Sequence, residues 1–359
     1  VGFLFVCLIF LNALLKKLNP AWALRPAEMI TVVVMGLVVI GIPIFVVGYV
    51  LSIPTTPYYF ASSENQWGTY VLPHLPEWLV PSNAGLAMTW FFEGLPYGQP
   101  VPWAVLLDAW FMPMFWWLSF IWTLYLVCFA LVVVLRKQWV EHEKLAFPLT
   151  EFPLLLSGES PAPRKLPAIA YKKLFWAGAA IPLFVILWNT VGYFFHFVPK
   201  IEWFYPVEIA RGFPVLNVYF YLPVIGFIYF VNLNISFSVW FFYVLILLEE
   251  GLFNRFGIGV SDGDAFVWGY PSTSWQSWGA FVVMVVWGLW MARDHLKAVC
   301  RKAWNPHDPL DDSRELLSYR WAVVGLVLGN VYLLAWLCRA GMALPVAQVS
   351  GRSAGWFCD

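Results

Sequence analysis

The chain has 359 residues, 61% of them hydrophobic, 19% aromatic and 12% charged, with 21 basic and 21 acidic residues and a mean hydropathy of +0.71. Soluble domains run to about 45–50% apolar and roughly a quarter charged, so this composition excludes a soluble body and specifies a polytopic membrane protein. A net charge of +0 excludes the basic face of a nucleic-acid binder, and the cysteines (Cys7, Cys128, Cys300, Cys338, Cys358) form no CxxC pair and so no zinc or redox signature.

A bilayer core about 30 Å thick requires ~20 apolar residues per crossing helix. That ruler predicts an all-α, polytopic transmembrane helix bundle of about eight membrane segments: 1–15, 29–52, 104–135, 174–198, 215–231, 237–253, 278–292 with its flanks, and 321–338. Val1 sits inside an apolar run, so 1–359 reads as a single transmembrane domain in a fragment whose N-terminus is incomplete. The first segment is followed by the basic loop 16–27 (Lys16, Lys17, Arg25), and the second by 53–103, which has no Lys or Arg and is rich in Pro and aromatics. Residues 53–103 read as an ordered outer cap on the membrane surface, with a short amphipathic helix. Pro113 lies inside the long third segment and predicts a kink or tilt there, because proline removes a helix hydrogen bond.

After the third segment, 136–173 holds Arg136, Lys137, Lys144, Arg164, Lys165, Lys172 and Lys173 and reads as an amphipathic loop along the inner interface. Within it, 157–167 reads as a flexible stretch. After the seventh segment, 293–320 is a polar connector with Arg293, Lys297, Arg301, Lys302, Arg314 and Arg320, and with a helix cap near Asp311 to Ser313. These three connections carry sixteen of the 21 basic residues, so the positive-inside rule puts 16–27, 136–173 and 293–320 in the cytoplasm and 53–103 outside. The pair 215–253 would be about 58 Å long as one helix, far beyond one crossing, so the chain must reverse within it. Asn232-Leu233-Asn234-Ile235-Ser236 is the polar break available, readable as a turn between two spans or as the tip of a re-entrant pair.

Polar groups inside hydrocarbon are costly and ask for a partner or a function. Asn232, Asn234, Ser236 and Ser238 cluster at the break, either capping helix ends or lining a substrate or ion pathway. Asn189 stands seven residues before His196, which predicts one helix face facing the bundle and adds Asn189 to that pathway. Glu249 and Glu250, near the outer interface, are either plain interfacial acids paired by Arg255 or water, or a proton site. Asp108 reads as a helix N-terminal acid, and 257–264, rich in Gly and Asp, as an outer loop. With five histidines and none in metal-ligand spacing, no metal, cofactor or enzyme motif is expected.

The block VEHEKLAFPLTEFPLL, together with RPAEMITVVVMGLVVIGIP and NLNISFSVWFFYVLILLEEGLFNRFGI, resembles a group of uncharacterised prokaryotic multi-spanning membrane proteins that are themselves similar to the oligopeptide transporter family. The resemblance covers most of the chain, although oligopeptide transporters are longer and have more spans. It implies a secondary active transporter, or part of one, moving a small organic solute such as a peptide or metal chelate across the bacterial cytoplasmic membrane. The expected partners are the lipid bilayer, that solute, and a second copy or a membrane partner subunit. Two further readings stand beside it. One is a non-transporting structural subunit of a larger membrane complex. The other is a membrane-embedded enzyme acting on a lipid-linked substrate at the outer face, with Glu64, Glu77, Glu93, Asp262 and Asp264 as its acids.

Overall fold

A computed structural model describes residues 2–41, 44–145, 147, 153–154, 168–258 and 269–342. Besides single turns and two short π-helical stretches, its elements in chain order are α1 (Gly2–Leu18), α2 (Pro26–Val39), α3 (Ser52–Tyr59), α4 (Trp67–Tyr70), α5 (Ala87–Glu93), α6 (Trp103–Lys137) and α7 (Lys173–Phe194). There follow β1 (Phe204–Val207), β2 (Leu216–Tyr219), α8 (Leu222–Ile228), α9 (Leu233–Phe256), α10 (Pro271–Met291), α11 (Arg293–Trp304) and α12 (Tyr319–Arg339).

The chain is mostly helical and carries several helices able to cross a membrane. Among the described residues five runs are long and apolar enough: Pro20–Val39, Trp103–His142, Lys173–Phe194, Leu233–Phe256 and Tyr319–Arg339. A sixth is available if α10 and α11, bent by 63° where they meet, are taken as one. By length and composition the described residues hold five to six crossings where the sequence suggested about eight. Two local causes account for much of the difference. Helix α1 is described over Gly2–Leu18, 17 residues or about 26 Å, just short of a bilayer core.

The segment expected at 215–231 is the second cause. It begins as strand β2, pairs antiparallel with β1 from Phe204↔Tyr219 to Val207↔Leu216, and continues as α8, whose seven residues span only about 10 Å. Tyr, Phe and Val favour the pleated conformation here, and Pro223 starts the short helix. This hairpin is a small departure in a chain that is otherwise mostly helical, as the sequence suggested. Helix α6, in contrast, runs unbroken through Pro113, and its 35 residues, about 52 Å, exceed a bilayer core.

Two compact units divide the chain. The first comprises Val1–Ile40 and Ala146–Val282. In it Phe5, Ile9, Met29 and Val33 form a core where α1 meets α2, with Ile169 and Phe175 packed against it. The buried amide of Asn12 ties the connection between those helices, donating to Leu24 O at 3.0 Å and accepting from Leu24 N at 2.7 Å. A buried polar side chain is tolerated when both ends are satisfied in this way.

The second unit comprises Gly41–Leu145 and Val283–Asp359. Helices α6 and α12 pack antiparallel along their length. Ala130, Val133 and Val134 meet Tyr319 and Ala322 at one end, and Trp116, Trp117 and Phe120 meet Trp336 at the other. Between these ends a Cβ placed on Gly329 would overlap Val127, and Gly325 faces Ala130 one turn away. Small residues four apart let two helix backbones approach closely, the usual device of helix pairs in lipid. Ser119 and Tyr332 add a hydroxyl hydrogen bond of 2.6 Å across the pair. The short helices of 53–103 rest on this pair, with Leu79 and Val80 against Trp336 and Leu337, and Ala87 and Met88 against Ala109.

Candidate functional site

In the first unit the C-terminal end of α9 and the N-terminal end of α10 are joined by side chains. Glu250 is 8% exposed and accepts a hydrogen bond of 2.5 Å from the Thr273 hydroxyl, itself 7% exposed. Glu249, one residue earlier, accepts from the Gln276 amide. The Asn254 amide donates to the Tyr270 hydroxyl at 3.2 Å. Thr273 and Gln276 are three residues apart and share one face of α10, so one helix face serves both carboxylates. The seam sits within the last two turns of α9 because an apolar run, Phe241 to Leu248, precedes it, and Gly257 with φ 67° ends the helix just after.

The ring of Phe213, from the β1–β2 connection, lies directly on Gly251, where a Cβ would overlap it. It covers the helix surface next to Glu250. Among the described residues no Lys, Arg or His forms an ion pair with Glu249 or Glu250, although Arg255 is on the same helix and exposed. A buried carboxylate without a cation is costly to keep ionised. Thr273 donates to Glu250 and Gln276 to Glu249, so the hydrogen-bond donors that meet the two carboxylates here are neutral.

The other residues singled out from the sequence fall elsewhere. Asn232 is the N-cap of α9, accepting from Asn234 N at 3.0 Å, and Ser238 donates back to Asn234 O at 2.8 Å. Asn232 and Asn234 are exposed and Ser236 and Ser238 half-buried, so this group forms the start of α9 while Glu249 and Glu250 lie near its end. Asn189 spends its amide on the backbone of Ile201, donating at 3.0 Å and accepting at 2.8 Å, which pins the chain leaving α7. His196 does not share its helix face, because α7 ends at Phe194 and Phe195 is already extended. Asp108 is exposed in the second turn of α6.

Of the acids assigned to an outer-face enzyme, Glu93 accepts from the Tyr59 hydroxyl at 3.2 Å, which raises the pKa of that phenol above its ordinary value. Asp262 and Asp264 lie outside the described residues, as do most of 257–264, 157–167 and the second half of VEHEKLAFPLTEFPLL. No group of three or more metal-ligating side chains occurs among the described residues. Sequence reasoning missed Thr273, Gln276 and Phe213. The polar pair spaced by three at the head of an apolar run, PSTSWQSWGAFVVM, was the available signal for the first two.

The second unit holds a polar cluster at the end of α6 rich in Lys and Arg. Arg136 grips Glu315 through two hydrogen bonds of 2.7 and 2.6 Å, and that guanidinium holds the Glu315 carboxyl below the usual carboxylate range. His295 contacts Val134 O at 2.8 Å, close to the orphan carbonyls at the helix end. Asp312 accepts from Tyr319 N at 3.1 Å at the head of α12, and Asp311 accepts from Ser313 N at 2.9 Å, which keeps its carboxyl below its ordinary pKa. The geometry assigns this cluster to fastening helix ends.

Long apolar helices, a close-packed glycine contact between two of them and a buried acid among neutral partners define a multi-spanning helical membrane protein. The chain belongs to a family of unknown function (DUF6785), whose profile matches residues 1–351. No curated protein and no solved structure matches it.

Proposed function

We propose that the protein is a secondary active transporter, or part of one, for a small organic solute such as a peptide or metal chelate, with Glu250 as its proton-exchanging group and Glu249 beside it. The observation that carries this reading is a buried carboxylate in a membrane helix whose partners among the described residues are all neutral. Such groups mark ion pathways more often than structural positions. The solute class follows from the resemblance to oligopeptide transporters. Asn232, Asn234, Ser236, Ser238 and Asn189 serve this reading as the polar ends of the helices that would move.

The same proposal places 16–27, 136–173 and 293–320 on the cytoplasmic side. Contacts within each unit support it. In the second, Arg136 and Glu315 meet at one end of the helices, and in the first, Ile169 and Phe175 pack where α1 meets α2. It also makes 220–232 a short, broken return across the membrane. Asn189 holds Ile201 at the end of α7, and Phe213 rests on Gly251 near the end of α9, so the chain must travel back along α9 to begin it at Leu233. With that return counted, the basic connections keep to one side.

The test is purified protein in vesicles loaded with a pH-sensitive dye, challenged with alanyl-alanine or ferric citrate under an inward proton gradient. Solute-evoked acidification, lost in Glu250→Gln with insertion intact, is the expected result. Equal acidification by Glu250→Gln removes the proton site. Absence of any evoked flux favours a structural subunit instead, a reading supported by α7, none of whose apolar window is buried.

A further inference from the structure

Helix α11 presents two unlike faces. His295 and Val299 are buried, and Val299 and Leu296 pack into the core formed by Ala130, Val133, Val134, Tyr319 and Ala322. At 100° per residue, Arg293, Lys297, Cys300, Arg301 and Trp304 fall on the opposite side within roughly a third of the circumference, and all five are exposed. Trp304 is 93% exposed. Asp294 is the only acid on this face, at 4.0 Å from Arg293 and 3.8 Å from Lys297. Of the acids that follow in the chain, Asp308, Asp311 and Asp312 accept backbone N–H groups, and Glu315 is taken by Arg136. Lys302 is likewise spent on the carbonyls of Pro306 and Asp308.

We propose that this face of α11 docks on the headgroups of anionic phospholipids. Taking α10 alone as the crossing, the 63° bend where it meets α11 lays α11 toward the plane of the interface. A basic stripe there meets the negative leaflet surface, and a fully exposed tryptophan on the same stripe suits the headgroup layer better than bulk water. The site is separate from Glu250, so its failure leaves the transport reading untouched.

The experiment uses the full chain with Cys300 as the only cysteine, carrying an environment-sensitive fluorophore, in vesicles of phosphatidylcholine containing either brominated phosphatidylglycerol or brominated phosphatidylcholine at equal mole fraction. Quenching by the anionic lipid should exceed that by the neutral one several-fold. It should rise in Asp294→Asn, and fall to parity in the double variant Lys297→Gln/Arg301→Gln and at high salt, which screens exposed charges. Equal quenching by the two lipids in the unmodified helix overturns the proposal. So does a preference that neither Asp294→Asn nor the double variant changes.

Discussion

The Phe213 ring packs on the bare backbone of Gly251, one residue after the buried Glu250. This contact fastens the β1–β2 hairpin to α9, because the two strands themselves are largely exposed and an isolated hairpin is marginal in water. Any side chain at position 251 must expel the ring. Gly251→Val is therefore expected to release the hairpin, read as faster amide exchange across 204–219 in detergent-solubilised protein. Phe213→Ala should do the same, and the double variant should add little to either, since one contact is removed twice. Unchanged exchange in Gly251→Val would show that the hairpin is held by something else.

The α6–α12 pair makes a finer distinction between two glycines four residues apart. A Cβ at Gly329 would overlap Val127, whereas one at Gly325 meets only the Ala130 methyl at 3.8 Å, an ordinary contact. Gly325→Ala should leave thermal stability nearly unchanged. Gly329→Ala should lower it, by about 1–3 kcal/mol on the scale of overpacked cores. Comparable losses in the two variants would mean that the helices do not approach as closely as this contact requires.

How much of this was readable from the residues alone follows from what each feature depends on. The apolar runs at 104–135, 174–198, 237–253 and 321–338 correspond to α6, α7, α9 and α12, because span length is set by bilayer thickness and side-chain polarity, both local properties. The stretch 215–231 was apolar enough to pass as a span, yet its Tyr-, Val- and Phe-rich start pairs with 204–207, a choice made by a partner strand outside the window. Glu249 and Glu250 stood out as ionisable groups in an apolar run. Their donors, 23 and 27 residues further on, depend on how α10 folds back, which spacing does not encode. Gly325 and Gly329 spelled a small-residue pair in plain view, but their partner Val127 lies some two hundred residues away in the chain.

The clamp between Arg136 and Glu315 carries a pH signature. The Glu315 side chain is 3% exposed and that of Arg136 is 36% exposed, so breaking the pair should cost less than the roughly 3–5 kcal/mol of a fully buried one, about 2 kcal/mol. The folded carboxyl titrates below its unfolded value, because it is hydrogen-bonded to the guanidinium. Its contribution is therefore complete above the unfolded pKa, near 4.3, and is lost as pH falls through the lower folded value. Thermal unfolding of wild type and Glu315→Gln should differ by a constant amount between about pH 5 and 8 and converge below about pH 4. A difference that grows on acidification would contradict the clamp.

Sidedness is open to a direct chemical test, because suitable positions already exist. Cys300 is exposed on α11 within the basic connector 293–320, and Tyr97 is fully exposed in 53–103, which lacks any Lys or Arg. Positive-inside orientation puts these two on opposite faces, with Lys144 on the side of Cys300. In intact cells a membrane-impermeant maleimide should label Tyr97→Cys, and should reach Cys300 and Lys144→Cys only after permeabilisation. The parent for the two substituted variants lacks all five native cysteines, and Cys300 is tested with the other four replaced. If Cys300 were labelled without permeabilisation while Lys144→Cys stayed protected, then 220–232 does not return across the membrane. The chain would then enter α9 from the outer side, contrary to the packing of Phe213 on Gly251 at its far end. That single outcome would remove both the broken return and the common placement of the three basic connections.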